Sequence, residues 1–309
     1  MLRPFYVSIR DVIRSVNDKV RRVNDKSTAR DSLNESIRAV GEARIGKDAL
    51  VMYVAGINLK AEEGEYGGWR LSPVNEPDPE TCDLKIVDGL SGSTSLGFCQ
   101  MADGPVFCSC PGGYGIEGAV QDIDNTTSIE KLFTPDLTFK LMLTVPYSSL
   151  ERENGIKHLA ECLAGFMRTY GAAAMGAAIL VFTKVPPRDS GIDTEGKLLK
   201  RLEETVVDAL KRFPKHCEAP ALLKHLLALD RVCIFPAPAG PGPYPEEYRD
   251  AIRRRLNSFP HFNPATSRWE VGKVPLTPET KEDQAPRRPC KRRDLISQDH
   301  PWAGYHRAR

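Results

Sequence analysis

No apolar stretch in the sequence is long enough to cross a bilayer. The longest, Ala172 to Phe182, falls well short of the roughly 20 residues that a spanning helix needs. An apolar leader is also missing, since Met1-Leu2-Arg3-Pro4 runs straight into charge. The cysteines (Cys82, Cys99, Cys108, Cys110, Cys162, Cys217, Cys233 and Cys290) never stand at Cys-x-x-Cys spacing, which removes the zinc ribbon and the thioredoxin-like site. Together these absences predict reduced thiols in a soluble cytoplasmic protein. There is no Gly-x-Ser-x-Gly elbow to carry a serine hydrolase, and no internal repeat. A large excess of one charge is absent too: 43 basic residues against 41 acidic ones leave a net +2, which selects no class of partner. The basic runs Arg253-Arg254-Arg255, Arg287-Arg288 and Lys291-Arg292-Arg293 lack interleaved aromatics, so nucleic acid is not an expected partner.

What remains is an ordinary globular composition, 41% hydrophobic and 27% charged over 309 residues, enough for one sizeable core with extensions. Phe5, Ile9, Val12, Ile13, Val16, Val20 and Val23 recur at helical spacing, which predicts an amphipathic helix with a basic outer face within residues 1–34. From about Ser36 the texture becomes short apolar runs alternating with helical patterns. Strands are predicted at Ser36 to Val40, Leu84 to Val87, Pro105 to Ser109, Phe139 to Val145, Ala178 to Thr183 and Arg231 to Phe235. Helices are predicted at Asp48 to Ala55, Ile123 to Phe133, Ile156 to Tyr170, Lys197 to Arg212, Ala221 to Leu229 and Pro245 to Leu256. The alternation predicts an α/β fold, a three-layer αβα sandwich on a mostly parallel sheet, over residues 35–257. Residues 258–309 are expected to form a flexible tail rich in proline and arginine.

Gly41-Glu42-Ala43-Arg44-Ile45-Gly46-Lys47-Asp48 fits G-x-x-x-x-G-K, followed by aspartate where serine or threonine is usual. Glycine at both ends lets the backbone curl until its N–H groups face a phosphate, and the lysine reaches the outer phosphates as a point charge. The helix that starts here adds its positive end. By chance a chain of this length shows the pattern about one time in ten, given glycine near 7%, so the setting decides. A strand precedes the first glycine and the helix pattern Ala49 to Ala55 follows, stopping at Gly56, which is the required order. The strand has one oddity, Arg38 at a position that should be buried.

Further along stand Tyr53-Val54-Ala55-Gly56-Ile57, then Ser93-Thr94-Ser95 ahead of Cys110-Pro111-Gly112-Gly113. Gln121-Asp122-Ile123-Asp124-Asn125, Ile129-Glu130-Lys131-Leu132-Phe133 and Val181-Phe182-Thr183-Lys184-Val185 follow. In this order and spacing the chain resembles the P-loop GTPases of the translation-factor-related class, in the septin-like and immunity-associated branch with its divergent protist relatives. The resemblance implies a P-loop NTPase fold of the G-domain type, with GTP or another nucleoside triphosphate as ligand. It implies nucleotide contacts from Gly41, Arg44, Ile45, Gly46, Lys47, Asp48 and Ala49, and from Thr183 and Lys184 in the base-reading box. Lys47, Thr94 and Gly112 take the catalytic positions, with Asp48 and Thr94 as the metal-facing pair. It also implies that two copies can pair through the nucleotide face.

Three positions depart from that family. Where its third box ends in Asp-x-x-Gly, this chain has Ser109-Cys110-Pro111-Gly112. The hydroxyl that binds magnesium in the loop is replaced by Asp48, and the base-reading aspartate by Pro186. A carboxylate about 4 Å from a phosphate costs roughly 4 kcal/mol at an effective dielectric near 20 unless a cation sits between, so the usual magnesium shell is not expected intact. Three functions follow: a degenerate nucleotide-binding switch or scaffold with weak or no hydrolysis, an active GTPase with an altered magnesium site, or a protein-interaction module that binds no nucleotide. Elsewhere, His158 and Cys162 lie one helical turn apart, but the sequence offers no third ligand at matching spacing.

Overall fold

The computed structural model describes residues 33–42, 44–64, 68–86, 96–100, 104–112, 129, 132–134, 136–150, 153–186, 196, 200, 203–204 and 219–267. The helix expected at Phe5 to Val23, Thr94, most of the helices expected at Ile123 to Phe133 and Lys197 to Arg212, and the chain beyond 267 lie outside them.

The elements in chain order are β1 (Ser36–Gly41), α1 (Lys47–Ala55), β2 (Leu59–Glu63), β3 (Trp69–Pro73), β4 (Gly97–Gln100), β5 (Val106–Ser109) and β6 (Phe139–Pro146). There follow a 3-10 turn at Tyr147–Leu150, α2 (Glu153–Met175), β7 (Ala178–Val185), α3 (Ala219–Ala228), β8 (Val232–Pro236), β9 (Gly242–Pro243), α4 (Glu247–Asn257) and the short α5 (Pro264–Ser267).

The main sheet has the order β4-β5-β1-β6-β7-β8. Every pairing in it is parallel except that of the edge strand β4 with β5. β1, β6 and β7 are buried nearly throughout because both of their faces are covered, as in central parallel strands. α1 packs on β1, β4 and β5 and meets α4, whereas α2 packs on β6 and meets α3. The fold is therefore an α/β sandwich on a mostly parallel sheet. Its β1 lies between β5 and β6, so the chain leaves β1 toward one side of the sheet and later returns to the other. A crevice at the carboxyl ends of strands forms where the order reverses in this way, and ligands of open α/β sheets bind there. Beside this sheet β3-β2-β9 form a small antiparallel one.

Arg38, the oddity of β1, is fully buried. Its guanidinium lies 4.7 Å from the ring centre of Phe133 and 4.3 Å from that of Phe139. Nε donates to Ser36 Oγ at 3.0 Å, and the two terminal nitrogens have no hydrogen-bond acceptor among the described residues. Burial lowers its pKa from 12.5 to about 10, against the raising influence of Cys108, Cys110 and Tyr170.

Two expectations need correction. Leu84 to Ile86 form no regular strand; the edge strand is β4, which the sequence pattern had not marked. Asp83 explains the difference, because its carboxylate takes the Phe98 amide at 2.6 Å and competes with a backbone ladder. The packing also continues past residue 257: Phe259 and Phe262 are buried, and Phe262 exchanges two backbone hydrogen bonds with Phe139. The helix expected to end at Tyr170 does break there, at Gly171, with φ 74° and ψ 156° inside α2.

Candidate functional site

β1 ends at Gly41, whose Cα is in register with Thr144 of β6. A Cβ at Gly41 would stand 2.2 Å from Thr144 Oγ1 and 2.4 Å from its carbonyl oxygen, so only glycine lets the chain leave the sheet this close to its neighbour. The loop then turns through Arg44 at φ 64° and Gly46 at φ 88°, both left-handed. Gly46 is the residue before α1 and supplies no side-chain cap, while its carbonyl accepts the first helical bond from Leu50 at 3.0 Å. The start of α1 therefore lacks the side-chain oxygen that ordinarily occupies its first amides.

Lys47 opens α1 and is buried, 2% exposed. Its ammonium folds back to the carbonyl of Glu42 at 2.5 Å, across the mouth of the loop. Burial lowers its pKa from 10.5 to about 8, opposed by the nearby Asp48, Cys110 and Glu42. Ile45 and Ala49 are buried against the loop's floor, and Arg44 is half-buried.

Asp48 and Ser109 explain each other. Ser109, the last residue of β5, donates its hydroxyl to Asp48 Oδ1 at 2.5 Å. In P-loop NTPases magnesium is held by a loop serine or threonine and an aspartate at the end of a strand. Here the carboxylate stands on the loop side and the hydroxyl on the strand side, facing one another. Each departure reads as a loss in the sequence; in the fold the two side chains are hydrogen-bonded partners.

Thr183 is buried and donates to the carbonyl of Val145 at 3.3 Å, so its hydroxyl is engaged by the sheet. Lys184 departs from the strand at φ 54° and sends its ammonium to the carbonyl of Arg44 at 2.7 Å. The segment expected to read the base is thereby tied to the glycine loop. Gly112 is buried just past β5, where the chain is anchored by the Cys110 amide on the Ala39 carbonyl at 2.9 Å. Of the expected site residues, Gly41, Arg44, Ile45, Gly46, Lys47, Asp48, Ala49, Gly112, Thr183 and Lys184 gather at the carboxyl ends of β1, β5 and β7; Thr94 lies outside the described residues.

Two neighbours escaped the sequence pattern. Thr144 closes the back of the loop, with its hydroxyl on the Val40 carbonyl at 2.8 Å; only the parallel register of β1 and β6 places it there. Glu42, a variable position of the loop motif, turns its carboxylate to α2, where His158 Nε2 lies at 3.0 Å and Cys162 Sγ at 3.3 Å. That contact spans more than a hundred residues of chain and leaves no local signature. Burial and the Glu42 charge push the Cys162 thiol well above its ordinary range.

No family model matches the chain, and no curated relative does. Among solved structures, chloroplast translocon components described as atToc33 and psToc159, whose GTPase activity is linked to dimerization, are similar at 12% identity with a TM-score of 0.43, covering 85% of this chain and 99% of that one. Toc33 from Arabidopsis thaliana in complex with GDP and Mg2+ is similar at 14% identity and a TM-score of 0.39, covering 81% and 95%. The same protein with Mg2+ and GMPPNP gives 13% identity and a TM-score of 0.37, covering 87% and 96%. The likenesses are distant, and the site stands on its own geometry: a glycine loop between the first strand and first helix, a buried lysine across its mouth, and a hydroxyl–carboxylate pair beside it.

Proposed function

We propose that this chain is a guanine-nucleotide-binding P-loop domain with an exchanged magnesium pair and weak hydrolysis. The observation that carries the proposal is Lys47. A buried ammonium whose hydrogen bond among the described residues goes to one backbone carbonyl, at a helix start without a side-chain cap, can take a phosphate in that carbonyl's place. A triphosphate would take the place of the Glu42 carbonyl on Lys47 and meet the amides at the start of α1.

Asp48 and Ser109 offer one carboxylate and one hydroxyl, the hard oxygen donors that magnesium takes alongside phosphate oxygens and water. The donor set fits, so these two would hold the ion, which would neutralise charge between β- and γ-phosphates. Lys47 holds the outer phosphates, the loop amides orient them, and Lys184, fixed to Arg44, closes the side where the base enters. With Pro186 where the base-reading carboxylate would be, guanine selectivity over adenine is expected to be modest.

Titration with labelled GTP and ATP, at several magnesium concentrations, tests the proposal. Saturable binding that requires magnesium, is lost in Lys47→Met and prefers GTP is the expected result. Absence of saturable binding, or binding indifferent to Lys47→Met, overturns it. Asp48→Ser distinguishes the exchanged pair from a decayed site: it leaves two hydroxyls and no carboxylate, and magnesium dependence should collapse. A gain in magnesium affinity would mean that Asp48 only repels phosphate.

A further inference from the structure

The loop residue Glu42 uses its carbonyl and its carboxylate in opposite directions. The carbonyl accepts from Lys47, while the carboxylate reaches two side chains of α2 that stand one helical turn apart. The sequence showed His158 and Cys162 as a ligand pair without a third member; the fold supplies it from the phosphate loop. We propose that Glu42, His158 and Cys162 form a binding site for a divalent transition ion of the zinc class, with a fourth coordination place open to water.

One ligand atom from each residue lies within 4.8 Å of both others. Their separations are 3.0 Å between His158 Nε2 and Glu42 Oε1, 3.3 Å between Cys162 Sγ and Glu42 Oε1, and 3.7 Å between Cys162 Sγ and His158 Nε2. A tetrahedral zinc ion, with bonds of about 2.3 Å to sulfur and about 2.0–2.2 Å to nitrogen and oxygen, spaces its ligand atoms roughly 3.3–3.6 Å apart. Shifts of a few tenths of an ångström bring the three atoms to those positions. The order of the spacings is also that of the bond lengths, with the longest between sulfur and nitrogen and the shortest between nitrogen and oxygen.

The donor set selects the class of metal. One thiolate, one imidazole and one carboxylate are soft and borderline ligands that suit zinc far better than magnesium or calcium. When an ion enters, Cys162 gives up its thiol proton to solvent and His158 binds through neutral Nε2. Two anionic ligands then balance the ion's two positive charges. Three protein ligands leave a place open, as in zinc sites that carry a water. The side chain of His158 is 42% exposed and that of Glu42 27% exposed, so an ion has a path in. This site is distinct from the Asp48–Ser109 pair and does not depend on nucleotide binding.

The test uses the full-length, nucleotide-free chain titrated with cobalt(II) as a spectroscopic stand-in, then with zinc in competition. One equivalent of cobalt should bind and show a thiolate-to-cobalt charge-transfer band together with the intense visible bands of tetrahedral coordination. Cys162→Ser should abolish the charge-transfer band. His158→Ala and Glu42→Gln should each weaken zinc binding by about tenfold or more, the scale on which even outer-shell changes act. His225→Ala, at an exposed position of α3, should leave binding unchanged. In the unaltered chain, zinc should protect the Cys162 thiol from alkylation, read by peptide mass spectrometry, which keeps the test valid should a variant fold poorly. Failure to bind one equivalent, a charge-transfer band that survives Cys162→Ser, or alkylation of Cys162 at the same rate with and without zinc overturns the proposal.

Discussion

Replacing Lys47 by methionine separates what the side chain costs the fold from what it does for a ligand. Its pKa falls from 10.5 to about 8 on burial, which corresponds to about 3 kcal/mol of preference for the neutral amine. Because the folded value lies below the unfolded one, that cost is present in full below about pH 8. Between about pH 8 and pH 10.5 the folded chain carries a neutral amine while the unfolded chain is still protonated; unfolding then takes up a proton, and stability climbs. Methionine keeps the apolar stem and removes the charge, and the Glu42 carbonyl, half-buried at the loop mouth, turns to water. Lys47→Met is therefore expected to stabilise the free protein by about 1–3 kcal/mol at pH 7, less than the full 3 because a charge-assisted hydrogen bond is lost. Urea unfolding across that pH range should show the wild-type stability rising and the variant lacking this component. Added at a hundredfold excess over Kd, GTP with magnesium should stabilise the wild type by about 2.7 kcal/mol and the variant not at all. A variant that is destabilised by more than about 1 kcal/mol and still gains stability from GTP would refute the assignment of Lys47 as a strained, anion-seeking cation.

Tyr53 reaches from α1 to α4, where its hydroxyl accepts from the Arg249 amide at 2.8 Å and donates to the Pro245 carbonyl. It thus caps a helix whose own cap residue, Glu246, makes no side-chain capping bond, and Tyr53→Phe should cost about 1–2 kcal/mol in denaturant unfolding. Arg38→Met removes a buried cation whose terminal nitrogens find no acceptor among the described residues, and keeps the volume between Phe133 and Phe139. Its stability should stay within about 1 kcal/mol of wild type or rise, as for other buried charges replaced by apolar groups; a larger loss by calorimetry would show that the ring contacts outweigh desolvation. Gly46→Ala meets no atom within 4 Å but forces a side chain into φ 88°, so it should cost about 1–2 kcal/mol of unfolding free energy without a steric signature in the loop.

The layered fold was legible because β6, β7 and β8 are buried on both faces and show up as largely apolar runs, and because α1 has its glycines at both ends. β4 was not, since Gly97-Phe98-Cys99-Gln100 is too short to show a period, and its partner segment spends Asp83 on a backbone amide. The small sheet of β2, β3 and β9 was missed for a related reason: Lys60, Glu62 and Glu63 make β2 look like a solvated helix turn, and its pairing with Gly242 and Pro243 crosses most of the domain. At the site, the residues of the loop were readable from spacing, but their partners were not. Ser109 and Asp48 each read as a defect until the parallel pairing of β1 with β5 set them in contact. Glu42 sat at a position the motif leaves free, so nothing local linked it to His158 and Cys162.

The proposed exchange of hydroxyl and carboxylate would have an energetic consequence that a simple loss would lack. In the free protein Asp48 is well placed, in the first turn of α1 where the helix dipole favours an anion, and bonded to Ser109. In the proposed complex the same carboxylate would face a phosphate, and at about 4 Å the repulsion would be roughly 4 kcal/mol at an effective dielectric near 20. A divalent ion held by Asp48 and Ser109 would offset that repulsion. By reciprocity the nucleotide must tighten the ion by as much as the ion tightens the nucleotide. A loop serine, being neutral, gives up far less when the ion is absent. Metal and nucleotide should therefore enter this site almost as one ligand, with a magnesium-free affinity lower by up to about a thousandfold, at 1.4 kcal/mol per decade. An affinity for GTP that changes less than about fivefold when magnesium is chelated would place Asp48 away from the phosphates and leave its bond to Ser109 a purely structural one.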